Sequence, residues 1–126
     1  MLEIRNFNEI DYMEFPTGRR TRVMIGQNGA IKGSGFCQGF VEILPGGYIP
    51  EHDHETVESY TILEGEGEIS VDGEKRRMKR GDYVFIDSGR RHGFRNLGKE
   101  RLMMMFCYSP QLVVDHWARE LNNELK

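Results

Sequence analysis

From residue 19 to residue 108 the chain alternates short apolar-rich runs with polar or glycine-bearing breaks, and no stripe at helical spacing lasts long enough to compete. Strands are predicted at Thr21 to Ile25, Phe36 to Leu44, Val57 to Leu63, Glu68 to Val71, Glu74 to Met78, Tyr83 to Ile86, Phe94 to Leu97 and Leu102 to Tyr108. The sharpest local signal is Val71-Asp72-Gly73-Glu74, because an Asp-Gly pair accepts the positive φ angles of a two-residue hairpin turn. Tyr83 to Ile86 and Met103 to Tyr108 carry apolar side chains at both odd and even positions, so both faces of these strands need cover. A closed barrel or sandwich covers one face; a terminal segment or a second subunit covers the other, which makes a homodimer the expected assembly.

After Tyr108 the pattern changes. Ser109-Pro110 offers an N-cap and a first-turn proline, and Val114, Trp117, Ala118 and Leu121 fall at i, i+3, i+4 and i+7. One amphipathic helix is predicted over about 110–124, with Asp115 and Arg119 as an i,i+4 pair and Trp117 packed on the barrel or a partner. Residues 1–18 hold scattered apolar positions, Ile10, Tyr12 and Phe15 among them, without an assignable element. The expectation is one domain over 1–126, with a barrel core over about 19–108.

Composition narrows the partners. The 126 residues carry a net charge of −3, which argues against a nucleic-acid surface, and 15 glycines fit frequent tight turns between short strands. The first residues, Met1-Leu2-Glu3-Ile4-Arg5, mix charge with apolar side chains rather than building a secretory signal, and the apolar run Leu102 to Tyr108 is too short to cross a bilayer. Cys37 and Cys107 form no CxxC pair and read as thiols buried in strands. A soluble, cytoplasmic protein is expected, with no membrane and no nucleic-acid partner.

Three of the four histidines sit in two compact clusters. In Glu51-His52-Asp53-His54-Glu55-Thr56-Val57-Glu58 a helix would splay His52 from His54, whereas an extended chain projects positions 52, 54 and 58 to one side. His92, after the Ser88-Gly89 turn, offers a fourth donor from a strand that a barrel can bring alongside. Three imidazoles and one carboxylate suit a divalent transition ion, Mn, Fe, Ni, Zn, Co or Cu, without selecting among them. Four protein ligands leave a six-coordinate ion with two exchangeable positions, a catalytic rather than a closed structural arrangement. His116 fits neither cluster and reads as surface or packing; Arg90 and Arg91 read as solvated, with a substrate carboxylate as their alternative target.

These residues resemble the cupins. The family's first motif, Gly, five residues, His-x-His, three or four residues, Glu, six residues, Gly, is matched by Gly46, His52, His54, Glu58 and Gly65. Its second, Gly, five residues, Pro-x-Gly, two residues, His, three residues, Asn, is matched by Gly81, Gly89, His92 and Asn96, with Asp87 in the proline position. The resemblance spans about residues 36–108. It implies a conical antiparallel β-barrel of the double-stranded β-helix (jelly-roll) type, often dimeric, with His52, His54, Glu58 and His92 as ligands of an internal metal and Asn96 as a structural hydrogen-bonder.

If side-chain parity holds, Tyr60 and Ile62 share the face of His54 and Glu58, and Phe94 that of His92, giving an apolar, aromatic substrate pocket. Two functions are carried forward. One is a metal-dependent enzyme acting on a small oxygenated organic molecule by dioxygenase, decarboxylase or isomerase chemistry; the other is a non-catalytic module that binds a small molecule or a sugar.

Overall fold

The computed structural model describes residues 2–110 and 116–126. A 3-10 turn at Phe7–Glu9 precedes eleven strands: β1 (Met13–Glu14), β2 (Arg19–Gly26), β3 (Ile31–Lys32), β4 (Cys37–Ile43), β5 (Tyr48–His52), β6 (Val57–Glu64), β7 (Glu66–Val71), β8 (Glu74–Lys79), β9 (Tyr83–Ile86), β10 (His92–Asn96) and β11 (Leu102–Ser109). One helix, α1 (His116–Leu121), follows.

The strands form two sheets. The larger runs β1-β2-β4-β11-β6-β9, with β3 added in parallel to β2, and the smaller runs β5-β10-β7-β8. Their inner faces share one core, in which Val41, Ile62, Ile86, Leu102 and Met104 of the larger sheet meet Ile49, Ile69, Met78 and Phe94 of the smaller. This is the expected antiparallel jelly-roll barrel. The β7–β8 hairpin turns where the Asp-Gly pair places it, with Asp72 at φ 49° and Gly73 at φ 86° and Val71 opposite Glu74.

All eight predicted strands form, and β1, β3 and β5 are additional. The first two are two residues long, and β5 contains Pro50, which hides it from a propensity reading. The expected cover over both strand faces is met on β11, where Leu102, Met103, Met104, Phe106 and Tyr108 are buried. On β9 it is not met among the described residues: Tyr83 is 76% exposed and Phe85 66% exposed on an edge strand. Cys37 and Cys107 are unpaired thiols on β4 and β11, and burial raises the pKa of both.

The C-terminal prediction needs correction. Val114 and Asp115 lie outside the described residues, and the described helix ends at Leu121 rather than at about 124. Ser109 is no helix cap: it ends β11, and its hydroxyl donates to the Gly35 carbonyl at 2.8 Å. The face turned inward is also different. Ala118 and Leu121 are exposed, while His116 and Glu120 are buried, because the barrel presents a buried guanidinium, that of Arg19, whose charge needs an anion.

Candidate metal centre

His52 closes β5 and His92 opens β10, adjacent strands of the smaller sheet in which the two residues are register partners. Glu58 lies on β6 of the larger sheet, and His54 lies in the link between β5 and β6. The expectation that one extended segment projects 52, 54 and 58 to the same side is therefore wrong in detail. The chain turns after His52, and the donors converge because two sheets meet there. Gly89 ties the two motif loops together by donating its N–H to the His54 carbonyl at 2.9 Å, and it adopts φ 76°, the left-handed region that favours glycine. At the proline position, the Asp87 carboxylate accepts the Ser88 N–H at 2.8 Å and so braces the turn by hydrogen bonding instead of ring closure. Asn96 is the structural hydrogen-bonder expected, donating to the carbonyls of Ile43 at 2.9 Å and Glu100 at 2.8 Å.

The geometry assembles all four predicted ligands. One donor atom from each of His52, His54, Glu58 and His92 lies within 4.8 Å of every other. Each ring is anchored on a main-chain carbonyl, with the Thr56 hydroxyl a further partner 2.7 Å from His54 Nδ1. His52 Nδ1–H donates to the Pro50 carbonyl at 2.7 Å, His54 Nδ1–H to the Thr56 carbonyl at 3.0 Å, and His92 Nδ1–H to the Arg90 carbonyl at 2.8 Å. A carbonyl can only accept, so each Nδ1 carries the proton and each Nε2 is directed inward. Nε2 of His54 and of His92 each lies 3.2 Å from Glu58 Oε1, whereas His52 Nε2 is buried with no hydrogen-bond partner. Three imidazoles pinned through one nitrogen and converging through the other are what a metal needs of histidine. The donor set fits a divalent ion, and the buried, unpartnered His52 nitrogen is the atom that such an ion would satisfy.

Protonation follows the same logic. Burial alone would raise the Glu58 carboxyl, but the His54 and His92 rings set against it outweigh burial and hold the group down to about 2, so Glu58 stays anionic. Burial, with His92 adding to it, pushes His52 down to about 3 and keeps it neutral. For His54, burial acts downward, yet the bond to Glu58 outweighs it and the net shift is upward.

Of the predicted pocket residues, Tyr60 borders a cavity of about 20 Å³ beside Glu58, shared with Arg19, Val41, Ile49, Phe106, His116 and Trp117. Burial pushes its phenol well up, so it remains protonated. Ile62 and Phe94 are buried core residues and are not among the described residues lining that cavity. Arg90 and Arg91 take the solvated role, paired with Asp72 at 2.5 Å and Glu51 at 3.5 Å.

Of the two roles read for His116, surface or packing, the structure shows packing. It is 5% exposed and stacks on His52, with ring centroids 3.7 Å apart and planes 18° from parallel, and its Nδ1 is a second buried nitrogen without a partner. Burial pushes its pKa far down, so the stack is between neutral rings. Arg19 and Glu120 were missed. The signal available was the i,i+4 spacing of His116 and Glu120, which places both on one helix face.

Comparison with known proteins agrees with this architecture. A family model described as Cupin domain matches residues 39–108. The tetracenomycin polyketide synthase protein TcmJ of Streptomyces glaucescens is 32% identical over 94 residues, 74% of this chain and 62% of that protein. Dimethylsulfoniopropionate lyase DddQ of Ruegeria pomeroyi is 37% identical over 73 residues, 57% of this chain and 36% of that protein. A solved Cupin 2 conserved barrel protein from Salinispora arenicola superposes with a TM-score of 0.74 at 24% identity, covering 94% of this chain and 97% of that one. The chain thus spans less than two thirds of the length of these two curated relatives.

Proposed function

Because this chain belongs to the cupin family, whose domain model covers more than half of it, we propose that it is a metal-dependent enzyme acting on a small oxygenated organic molecule. The observation that carries the reading is the inward convergence of three carbonyl-pinned imidazoles and one ionised carboxylate, with His52 Nε2 left unpartnered. His52, His54, Glu58 and His92 would hold the ion. A divalent ion bound there supplies Lewis-acid polarisation of a substrate oxygen. The protein's own residues define the rest of the site. Glu58 contributes the one formal charge among the four donors and lowers the net charge the site must bury. Tyr60 keeps its phenolic proton beside Glu58, and Phe106 with Trp117 supplies an apolar wall that limits water.

Lyase chemistry, named for DddQ, joins the dioxygenase, decarboxylase and isomerase classes as a reaction to assay. The reading includes a homodimer, supported by Tyr83 and Phe85 on the β9 edge, which border a cleft of about 480 Å³ with Met78 and Val84. Elemental analysis of protein purified without chelator, then titration of metal-free protein with Mn(II) and Fe(II) under anaerobic conditions, tests the metal. One ion per chain is expected. No binding by either ion would refute the enzyme reading and leave the small-molecule-binding module.

A further inference from the structure

Beside the four donors, the barrel holds a second polar cluster that the proposed function does not use. Arg19 is 2% exposed, with its guanidinium 3.6 Å from the centroid of the Phe15 ring. Its Nε–H donates to both carboxylate oxygens of Glu120, at 2.9 and 3.1 Å, and its second terminal nitrogen donates to Glu120 Oε1. The Thr17 hydroxyl donates to the other oxygen, and Arg19 Nη1 donates to Thr21 Oγ1 at 2.5 Å, which steadies the guanidinium from behind. Thr17, Arg19 and Thr21 belong to the barrel and its N-terminal lead-in, whereas Glu120 comes from α1, which follows the barrel in the chain. Without Glu120, the barrel would present a buried guanidinium fork and a hydroxyl with no acceptor, a donor set matched to a carboxylate.

This cluster adjoins the metal quartet. Arg19 and Glu58 border the same cavity of about 20 Å³, and His116 and Trp117 of the helix form the rest of one wall. That volume holds about one water molecule. With α1 in place no organic substrate fits: the helix side chains bordering the space are His116, stacked on His52, and Trp117, while Glu120 is seated on Arg19, which borders the same space.

We propose that Thr17 and Arg19, braced by Thr21, form the carboxylate subsite of this pocket, and that Glu120 occupies it as an internal stand-in. The ligand is then a small organic acid whose carboxylate takes the place of Glu120 while an oxygen at its other end faces the His52–His54–Glu58–His92 quartet. Exchange of one carboxylate for another leaves the buried arginine paired throughout, so the cost of exposing a bare buried charge is avoided. Departure of Glu120 carries His116 off His52 on the same helix, which opens space at the quartet in the same movement. The inference extends the metal-enzyme reading by naming a substrate class, but its carboxylate half stands without the ion.

The test uses the full chain and its single tryptophan, Trp117, which sits on the helix and packs edge-on to Phe106 at 6.0 Å and Tyr108 at 6.3 Å between ring centroids. Glycolate and its neutral analogue glycolamide are titrated into metal-free and Mn(II)-loaded protein at constant ionic strength, reading Trp117 emission and heat. Saturable red-shifting by glycolate and not by glycolamide, in both forms, is expected. In Glu120→Gln, which keeps the side-chain shape and removes the competing charge, glycolate should bind about tenfold tighter or more. No emission change with glycolate, an equal response to glycolamide, or unchanged affinity in a folded Glu120→Gln protein overturns the proposal. If that variant does not fold, the two titrations of the unsubstituted chain decide alone. Mn(II) binding without any carboxylate response sinks this inference and spares the metal reading; a carboxylate response in a protein that binds no ion does the reverse.

Discussion

Replacing His52 with leucine separates what this ring does for the fold from what it does for an ion. In the metal-free protein His52 makes one hydrogen bond, Nδ1–H to the Pro50 carbonyl, and carries one buried nitrogen without a partner. Losing the first costs about 1 kcal/mol, and removing the second returns about 1–3 kcal/mol of desolvation penalty. Leucine is similar in bulk, so the space beneath His116 stays filled and the expected net change lies within about 1–2 kcal/mol of zero, of either sign. The ion-bound protein should respond differently. At a thousandfold excess over its dissociation constant, an ion that binds only the folded state stabilises it by about 4.1 kcal/mol. Losing one of four donors and about a hundredfold in affinity reduces that to about 1.4 kcal/mol. The missing increment, near 3 kcal/mol, corresponds to roughly 10 °C of Tm for a domain of this size. Thermal unfolding with and without Mn(II), on His52→Leu and the unsubstituted chain, measures both quantities. A metal-free variant that loses more than about 4 kcal/mol, or that gains as much from the ion as the parent does, would refute the assignment of His52 as a ligand directed inward at no structural benefit.

Three other outcomes follow from the structure. Burial acts to raise the Glu42 carboxyl, but Arg22 and Arg101 outweigh it and lower the pKa; a folded value below the unfolded one means this stabilisation is full above about pH 4.3 and is lost as pH falls through the folded value. Glu42→Gln should therefore cost about 1–3 kcal/mol in urea titrations at pH 7, with the difference shrinking toward acid pH; a constant difference from pH 7 to pH 3 would contradict it. Gly67→Ala places a methyl inside contact distance of the Phe94 ring and the Arg95 carbonyl, so a loss of about 1–3 kcal/mol by thermal unfolding is expected, and an unchanged Tm would show that the two strands separate freely there. Sedimentation of the parent chain should give a dimer and of Tyr83→Ser/Phe85→Ser a monomer with unchanged circular dichroism; a monomeric parent rules out the β9 edge as an interface.

The donor set was legible in the sequence because each element of it depends on local spacing. Gly46 to Gly65 and Gly81 to Asn96 carry their register in residue counts, and turns such as Asp72-Gly73 are specified by the two residues that make them. What sequence could not supply depends on pairs far apart in the chain. Arg19 meets Glu120 across 101 positions, and no local rule connects a basic residue at a strand entrance with an acidic one near the C-terminus. The same pairing explains why the helix was read with its apolar side inward. Periodicity weighs hydrophobicity, and a buried ion pair inverts that weighting. The link between His52 and Val57 reads as extended chain because β-branched Thr56 and Val57 outweigh the lone turn-forming Asp53 in a stretch without glycine or proline.

The anchoring of three imidazoles on Pro50, Thr56 and Arg90 has a consequence for how such a barrel can diversify. Peptide oxygens are present whatever side chain a residue bears, so the side chains at 50 and 90 can be exchanged without removing the ring's partner, whereas at 56 the threonine hydroxyl, 2.7 Å from His54 Nδ1, adds a contact that a replacement would lose. The tautomers are held by the path of the chain rather than by a partner that a single codon change could delete. In return, any insertion that shifts the path through residues 50–56 or 88–92 disturbs ring orientation at once. Variation should therefore accumulate as replacements in these stretches and as length changes elsewhere.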